Sequence, residues 1–175
     1  YWSVNKNVND NEVDRLIGAF EVMIPINQYF SILNRTGVDW YSDRIRESWD
    51  KRSNEFKDLG GRMFVNDVVF NSLNNDFMLN YQREWGSKWE VSAILGHNYY
   101  DVEETSYSMD GVGFVIDDYY DISNVSALNV ISDDFISRQR TVGAYGNLNI
   151  GFRKMLYVDF TARNDWFSTL PKENN

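Results

Sequence analysis

The sequence of 175 residues contains no cysteine and one histidine, His97. Without cysteine the chain forms neither disulfide bonds nor thiolate metal sites, and one histidine is too few for a multi-histidine zinc site. Acidic residues outnumber basic ones by 26 to 17, which gives a net charge of -9. Nucleic acid and anionic membrane surfaces both require clustered Lys and Arg, so neither is expected as the main partner.

Long apolar runs are also missing, since no segment approaches the length of a membrane-spanning helix. The opening residues, YWSVNKNVND, lack the charged start and apolar centre of a signal peptide. We therefore expect either a protein that is not exported or an internal piece of a longer one. Aromatic residues are abundant by contrast, at 16% of the chain, and many fall near the ends of segments with alternating polarity.

The clearest pattern is alternation with a period of two residues. In 156–163 the apolar Leu156, Val158 and Phe160 alternate with polar or amphipathic residues. Comparable alternation occurs in segments 15–26, 30–40, 64–70, 75–82, 89–98 and 142–152. A period of two predicts β-strands with one apolar face, so we expect an all-β chain.

The connections between these segments are unequal in length. Short turns at 27–28, 83–88 and 153–154 alternate with long segments at about 44–62 and 101–136. Loops that are short at one end of a meander and long at the other are typical of outer-membrane barrels. The pattern predicts an antiparallel meander of about six or seven strands within a transmembrane β-barrel, with extracellular loops at the two long segments.

Two other interpretations compete with the barrel. A soluble β-sandwich, such as a carbohydrate-binding module, also has alternating strands, but its apolar faces must share a core and nothing explains its unequal loops. A glycosidase needs a pair of carboxylates, and no two of the acidic residues are marked as a pair. We therefore expect no enzymatic activity. Because six or seven strands are too few to close a barrel, a barrel of this length is a partial one.

The segment LYVDFTARNDWFSTLPKENN closely resembles a strand and loop of SusC/RagA-like TonB-dependent transporters of the Bacteroidetes outer membrane, where it reads much like LYLDVTGRNDWSSTLP. The matching residues are Asp159, Thr161, Arg163, Asn164, Asp165, Trp166, Ser168, Thr169, Leu170 and Pro171. YGNLNIGFRKMLYVD and PINQYFSILNRTGVDWYSD resemble the preceding hairpin and an earlier one, and the opening YWSVNKNVNDNEVDRLIG resembles the family's PYW…N…DRxxG segment.

The resemblance implies a partial barrel domain over residues 1–175, belonging to a barrel of about 22 strands. The sequence shows no TonB box, plug domain or barrel-closing strand, so we expect an internal part of the barrel. The family imports oligosaccharides or oligopeptides across the outer membrane of Gram-negative bacteria. Its partners are a SusD-like surface lipoprotein that acts as a lid, the TonB–ExbB–ExbD complex acting through the plug, and the surrounding outer-membrane lipid.

Two groups of residues are candidates for function within this framework. Aromatic side chains in the acidic segment 101–136 are expected to contact substrate or lid, or else to pack within their own loop: Tyr107, Phe114, Tyr119 and Tyr120. A polar network facing the lumen is expected from Arg35, Asp39, Asp159 and Arg163. No metal site is predicted, because Asp117, Asp118 and Asp121 lack the glycine and terminal glutamate of a calcium loop, and no cofactor is expected.

Overall fold

The computed structural model describes residues 5–170 and contains one antiparallel sheet of six strands. The strands are β1 (Val8–Pro25), β2 (Phe30–Trp49), β3 (Arg62–Trp85), β4 (Trp89–Val112), β5 (Val130–Phe152) and β6 (Leu156–Phe167). Short 3₁₀ helices occur at Lys57–Leu59, Ile122–Asn124 and Ala127–Asn129. Across the described residues, no helix is long and apolar enough to cross a membrane.

The strands lie side by side in chain order from β1 to β6, so each pairs with its neighbours in sequence. This confirms the predicted meander, and the sheet is not closed in this segment. Residues 5–170 form a single sheet rather than the two packed sheets that a β-sandwich requires. The predicted short turns are present between β1 and β2, β3 and β4, and β5 and β6.

The long connections are shorter than the sequence pattern indicates. They comprise residues 50–61 and 113–129 instead of about 44–62 and 101–136, and the segments 64–70 and 75–82 belong to one strand, β3. The strand ends beyond the alternating segments carry polar residues on both faces, as in residues 101–108. Because apolar alternation is the main sequence signal for a strand, such ends resemble loops in the sequence.

The chain divides into two compact units, a loop unit and a turn unit. The loop unit contains the described residues up to Leu16, together with Trp40–Asn71 and Glu103–Ser137. The turn unit contains Ile17–Asp39, Ser72–Val102 and the described residues from Arg138 onward.

The loop unit has a small apolar core. Met63, Val65 and Val125 are buried, and Gly111 leaves space for the side chains of Ile122 and Val125. The two loops are joined by backbone hydrogen bonds, in which Gly113 N–H donates to Gly61 O and Phe114 N–H donates to Gly60 O, both at 3.0 Å. Segment 113–129 is therefore anchored to segment 50–61 and to the core.

The turn unit has no comparable core. Its only buried residues among those described are glycines, namely Gly96, Gly143 and Gly151. The β5–β6 register pairs Leu148 with Phe160 and Asn147 with Thr161, so apolar side chains share one face and polar side chains share the other. The apolar face is exposed along the unit.

Candidate functional site

The polar face of the turn unit is a set of hydrogen-bonded clusters. On β5 and β6, the side chain of Asn147 donates to Asp159 at 2.8 Å and to Thr161 at 2.9 Å, while Asn149 donates to Asp159 at 2.6 Å. Asp159 is thus held by two amides from the neighbouring strand. This ladder gives the face a fixed order of acceptors and donors along the two strands.

A second cluster forms around Arg163 on the same face. Its guanidinium donates to Asp165 at 2.8 Å and lies 5.3 Å from the ring centroid of Tyr145. The Tyr145 ring crosses β4 at Gly96, where an added Cβ would stand 2.2 Å from Tyr145 Cζ. Gly143 is similarly crowded, since a Cβ there would stand 2.5 Å from an oxygen of Asp165. The glycines therefore provide the space that these large polar side chains occupy.

Of the four residues predicted to form one polar network, Arg35 and Asp39 lie on β2, and Asp159 and Arg163 lie on β6. Arg35 donates to Glu21 at 2.8 Å, and Asp39 is half-buried on the same strand. Asp159 is bound by amides and Arg163 by Asp165, with no direct bond between the two described side chains. Asp159 and Arg163 do share a face, as the alternation predicts. Their assignment to the lumen stays a prediction.

The opposite face of the turn unit is an apolar band with aromatic residues at its limits. Leu95 on β4 is 66% exposed. Trp89, at the turn end of that strand, packs against Phe152 with the two ring centroids 4.6 Å apart. From Trp89 to Tyr99 there are ten residue steps (99 − 89), or about 33 Å along the strand. With a strand tilt of about 40°, the band is about 25 Å tall, the height of the apolar belt of outer-membrane barrels.

The loop unit contains a charged cluster centred on Asp50. Asp50 is 1% exposed, and its carboxylate accepts two hydrogen bonds from the Arg52 guanidinium at 2.7 and 2.8 Å and one from the Tyr120 hydroxyl. Arg52 also donates to Asp118 at 2.6 Å. Segments 50–61 and 113–129 are therefore joined by side chains as well as by backbone.

The electrostatics of this cluster maintain opposite protonation states in Asp50 and Tyr120. The Arg52 guanidinium, helped by the Tyr120 hydroxyl, holds the pKa of the Asp50 carboxyl well below its usual range. Burial, with the nearby Asp50 carboxylate, raises the pKa of Tyr120 to about 12. At neutral pH the carboxylate accepts and the hydroxyl donates, so the bond persists.

The predicted aromatic contact residues divide into two pairs. Tyr107 and Tyr119 are exposed, as a substrate or lid contact requires. Phe114 packs against Tyr120 at a centroid distance of 5.6 Å, and both rings lie partly inside the loop unit, which is the alternative considered for this segment. Contact with substrate or lid stays a prediction for all four residues.

Two organising residues of the loops are not evident from the sequence pattern. Asn124 is buried, accepts from Ile116 N–H at 2.8 Å, and donates to the carbonyls of Ile116 and Tyr119. Asp50 accepts from Arg52 N–H at 2.7 Å, which is a local turn that a Ser-, Asn- and Asp-rich segment favours. That turn is the one feature of Asp50 that the sequence indicates, and it gives no sign that Tyr120 is a partner of Asp50.

The chain is similar to known proteins in structure but not in sequence. No protein-family model and no curated protein matches the chain. Among solved structures, the RagAB peptide transporter matches 98% of this chain with a TM-score of 0.87 and 17% identity. The chain has the fold of part of RagAB. The RagAB peptide importer in its closed-closed state matches 95% of the chain with a TM-score of 0.86 and 18% identity.

The RagAB importer in its open-open state gives a TM-score of 0.79 at 18% identity over 95% of this chain. The chain spans only 19%, 19% and 18% of the length of these three RagAB chains. The comparison confirms the predicted fold, a meander that matches part of a β-barrel.

Proposed function

We propose that this chain forms wall and extracellular loops of an outer-membrane TonB-dependent transporter of the SusC/RagA type. The observation that carries the proposal is the turn unit, which exposes an apolar band on one face and a hydrogen-bonded polar face on the other. A water-soluble sheet would leave this band in contact with water, whereas lipid solvates it without a penalty. The aromatic residues at its limits suit the two membrane interfaces.

The role proposed for the segment is structural rather than catalytic. The band faces lipid, the polar face lines the lumen or contacts a plug, and the loop unit stands outside the membrane. No enzymatic step, metal or cofactor is part of this role. The resemblance at the RNDW and STLP residues supports a location in the outer membrane of a Bacteroidetes-like bacterium and energy supplied through TonB–ExbB–ExbD.

The proposed substrate and lid partner are supported by the structural neighbours and by the exposed aromatic side chains of the loops. The structural neighbours are described as peptide transporters, which favours oligopeptides over oligosaccharides as the substrate. A SusD-like lipoprotein is proposed as the lid over the loops. The exposed rings of Tyr107 and Tyr119 are the side chains best placed among the predicted four to contact either partner.

The test places arginine on either face in the full-length protein. Leu148→Arg and Val158→Arg lie in the apolar band, and Asn147→Arg and Thr161→Arg are matched controls on the polar face of the same two strands. At midplane depth, Leu148→Arg or Val158→Arg should each make the free energy of folding into the membrane less favourable by about 2–4 kcal/mol, because the guanidinium then contacts hydrocarbon. The measurement is the amount of folded, heat-modifiable protein in outer membranes. If arginine is tolerated equally well on the two faces, the result would contradict the transmembrane assignment.

A further inference from the structure

Four basic residues lie together at the turn end of the turn unit, and we call them the basic cluster: Arg83, Lys88, Arg153 and Lys154. The two turns that carry them are in contact, because Arg153 N–H donates to Lys88 O at 2.6 Å. None of the four forms an ion pair within residues 5–170, although ion pairs neutralise most of the other arginines there. This end of a chain with net charge -9 therefore carries positive charge that the described residues leave unneutralised.

The nearby acids lie on the other face of the sheet. On β3 the apolar band consists of odd-numbered residues, so Arg83 belongs to the face of the band and Glu84 to the polar face. On β4 the band includes Trp89, so Glu90 also belongs to the polar face, where an added Cβ at Gly151 would stand 3.5 Å from Glu90 Cβ. Across the described residues, the apolar face carries only positive charge at its turn end.

Aromatic rings hold the two arginines of the cluster at the rim of the apolar band. The Arg83 guanidinium lies 4.6 Å from the ring centroid of Tyr29 and 5.6 Å from that of Trp85. The Arg153 guanidinium lies 5.3 Å from the ring centroid of Phe152. Aromatic residues at the limit of an apolar band lie at the headgroup level of a bilayer, so both guanidinium groups stand at the level of the lipid phosphates.

The turn between β5 and β6 carries basic residues where the backbone favours other types. Arg153 and Lys154 both have positive φ, 51° and 57°. A two-residue hairpin turn with positive φ at both positions strongly prefers Asn-Gly, because these residues adopt that conformation most easily. Both basic side chains are exposed. A requirement for positive charge at this turn accounts for their presence.

We infer that the basic cluster binds the phosphate groups of anionic phospholipids at the rim of the apolar band. Short turns of outer-membrane barrels face the periplasm, so these lipids belong to the periplasmic leaflet. Each guanidinium offers N–H donors to a phosphate, while the rings beneath it and the apolar band contact the rest of the lipid. The inference rests on the proposed function, because it requires that the apolar band contacts lipid.

The experiment uses the full-length transporter in nanodiscs of phosphatidylcholine that contain a small fraction of a photoactivatable lipid. That lipid is either anionic phosphatidylglycerol or zwitterionic phosphatidylcholine, each with the same diazirine-labelled acyl chain. Mass spectrometry of peptides locates the crosslinks. At equal mole fraction and low salt, phosphatidylglycerol should label the peptides containing residues 83–89 and 152–156 about five-fold more than phosphatidylcholine does, and high salt should reduce this preference.

A triple variant tests the cluster without disturbing the turn. Arg153→Asn with Lys154→Gly removes two charges and gives the hairpin its favoured residues, so folding is preserved, and Arg83→Gln removes a third charge. The two lipids should then label the turn peptides equally. Arg35→Gln with Arg163→Gln is the matched control, since these arginines lie on the polar face of the same sheet, and the preference of about five-fold should remain.

Several results would overturn the inference. Equal labelling by the two lipids in the unaltered protein would mean that the aromatic rings anchor this rim without recognising phosphate. A preference that survives in the triple variant would mean that charge elsewhere attracts the anionic lipid, and labelling by neither lipid would mean that protein covers the cluster. A transporter that passes the arginine test of the apolar band yet shows no lipid preference loses only this inference, so the two failures are distinguishable.

Discussion

The loop unit and the turn unit use the same alternating pattern in opposite ways. Strand β3 passes through both, and its odd-numbered apolar residues show the contrast. Met63 is 6% exposed in the loop unit, where protein covers it, whereas Phe77 is 44% exposed in the turn unit. Alternation therefore identifies an apolar face but does not tell whether the protein itself covers that face.

The two units also differ in how their polar groups are satisfied. The loop unit buries Asp50, which is bonded to Tyr120 in the other loop, and Asn124, which is bonded within its own loop, so a few contacts determine the arrangement of both loops. The turn unit fully buries no polar side chain among the described residues, and holds its polar groups in small clusters on β5 and β6 and in a part-buried group around Asn75 and Asn98. Single substitutions should consequently have large effects in the loop unit and small ones on the polar face of the turn unit.

The largest effect is expected from Gly61→Ala in the loop unit. Gly61 has φ of +92°, and an added Cβ would stand 2.6 Å from the Phe114 ring and 2.8 Å from Trp49 O. Left-handed strain and the steric clash together should lower the free energy of unfolding by about 3 kcal/mol. Urea unfolding of the full-length protein in lipid vesicles measures this loss of stability. The sensitivity of segment 50–61 to protease shows whether the loss is local to the loop unit.

Gly86→Ala is the matched control for that substitution. Gly86 also has a positive φ, +61°, but in the turn between β3 and β4 an added Cβ would have no atom within 4 Å. Only the backbone strain remains, so the expected loss is about 1 kcal/mol. If both substitutions cost the same, the packing of Phe114 over Gly61 is not what holds the two loops together.

A smaller effect is expected from Asp50→Ala. The substitution leaves the Tyr120 hydroxyl and part of the Arg52 guanidinium without their acceptor, which should cost about 2 kcal/mol. Asp117→Ala is the control, because its ion pair with Lys51 is largely exposed and should be worth less than about 1 kcal/mol. Hydrogen exchange of segment 113–129 distinguishes the two, and equal protection in both variants would contradict a central role for Asp50.

What the sequence predicts well is local. The alternation of Leu156, Val158 and Phe160 against Asp159 and Thr161 fixes which side chains share a face, because the side-chain period of a strand is two. The three short turns follow from the interruptions of that pattern. The fold class, the meander order and the shared face of Asp159 and Arg163 are therefore accessible without a structure.

What the sequence predicts poorly depends on distant partners. Asp50 and Tyr120 are 70 positions apart, and no periodicity relates them. The strand ends beyond the apolar band have no alternating contrast, which is why the predicted loops are too long. The shared face of Asp159 and Arg163 likewise does not reveal their partners, which are the amides of Asn147 and Asn149 for one and Asp165 with Asn98 for the other, and their membership of one network stays a prediction.

The smallest expected effect tests that separation on the polar face. In a double-mutant cycle, Asp159→Ala and Arg163→Ala should be nearly additive, with a coupling energy below about 0.3 kcal/mol, because the two side chains share no partner. The control cycle combines Arg163→Ala with Asp165→Ala, whose direct ion pair should give about 0.5–1 kcal/mol. Coupling between Asp159 and Arg163 as large as in the control would mean that the clusters act as one network on the polar face, and the contrast between a cooperative loop unit and a distributed turn unit would then fail.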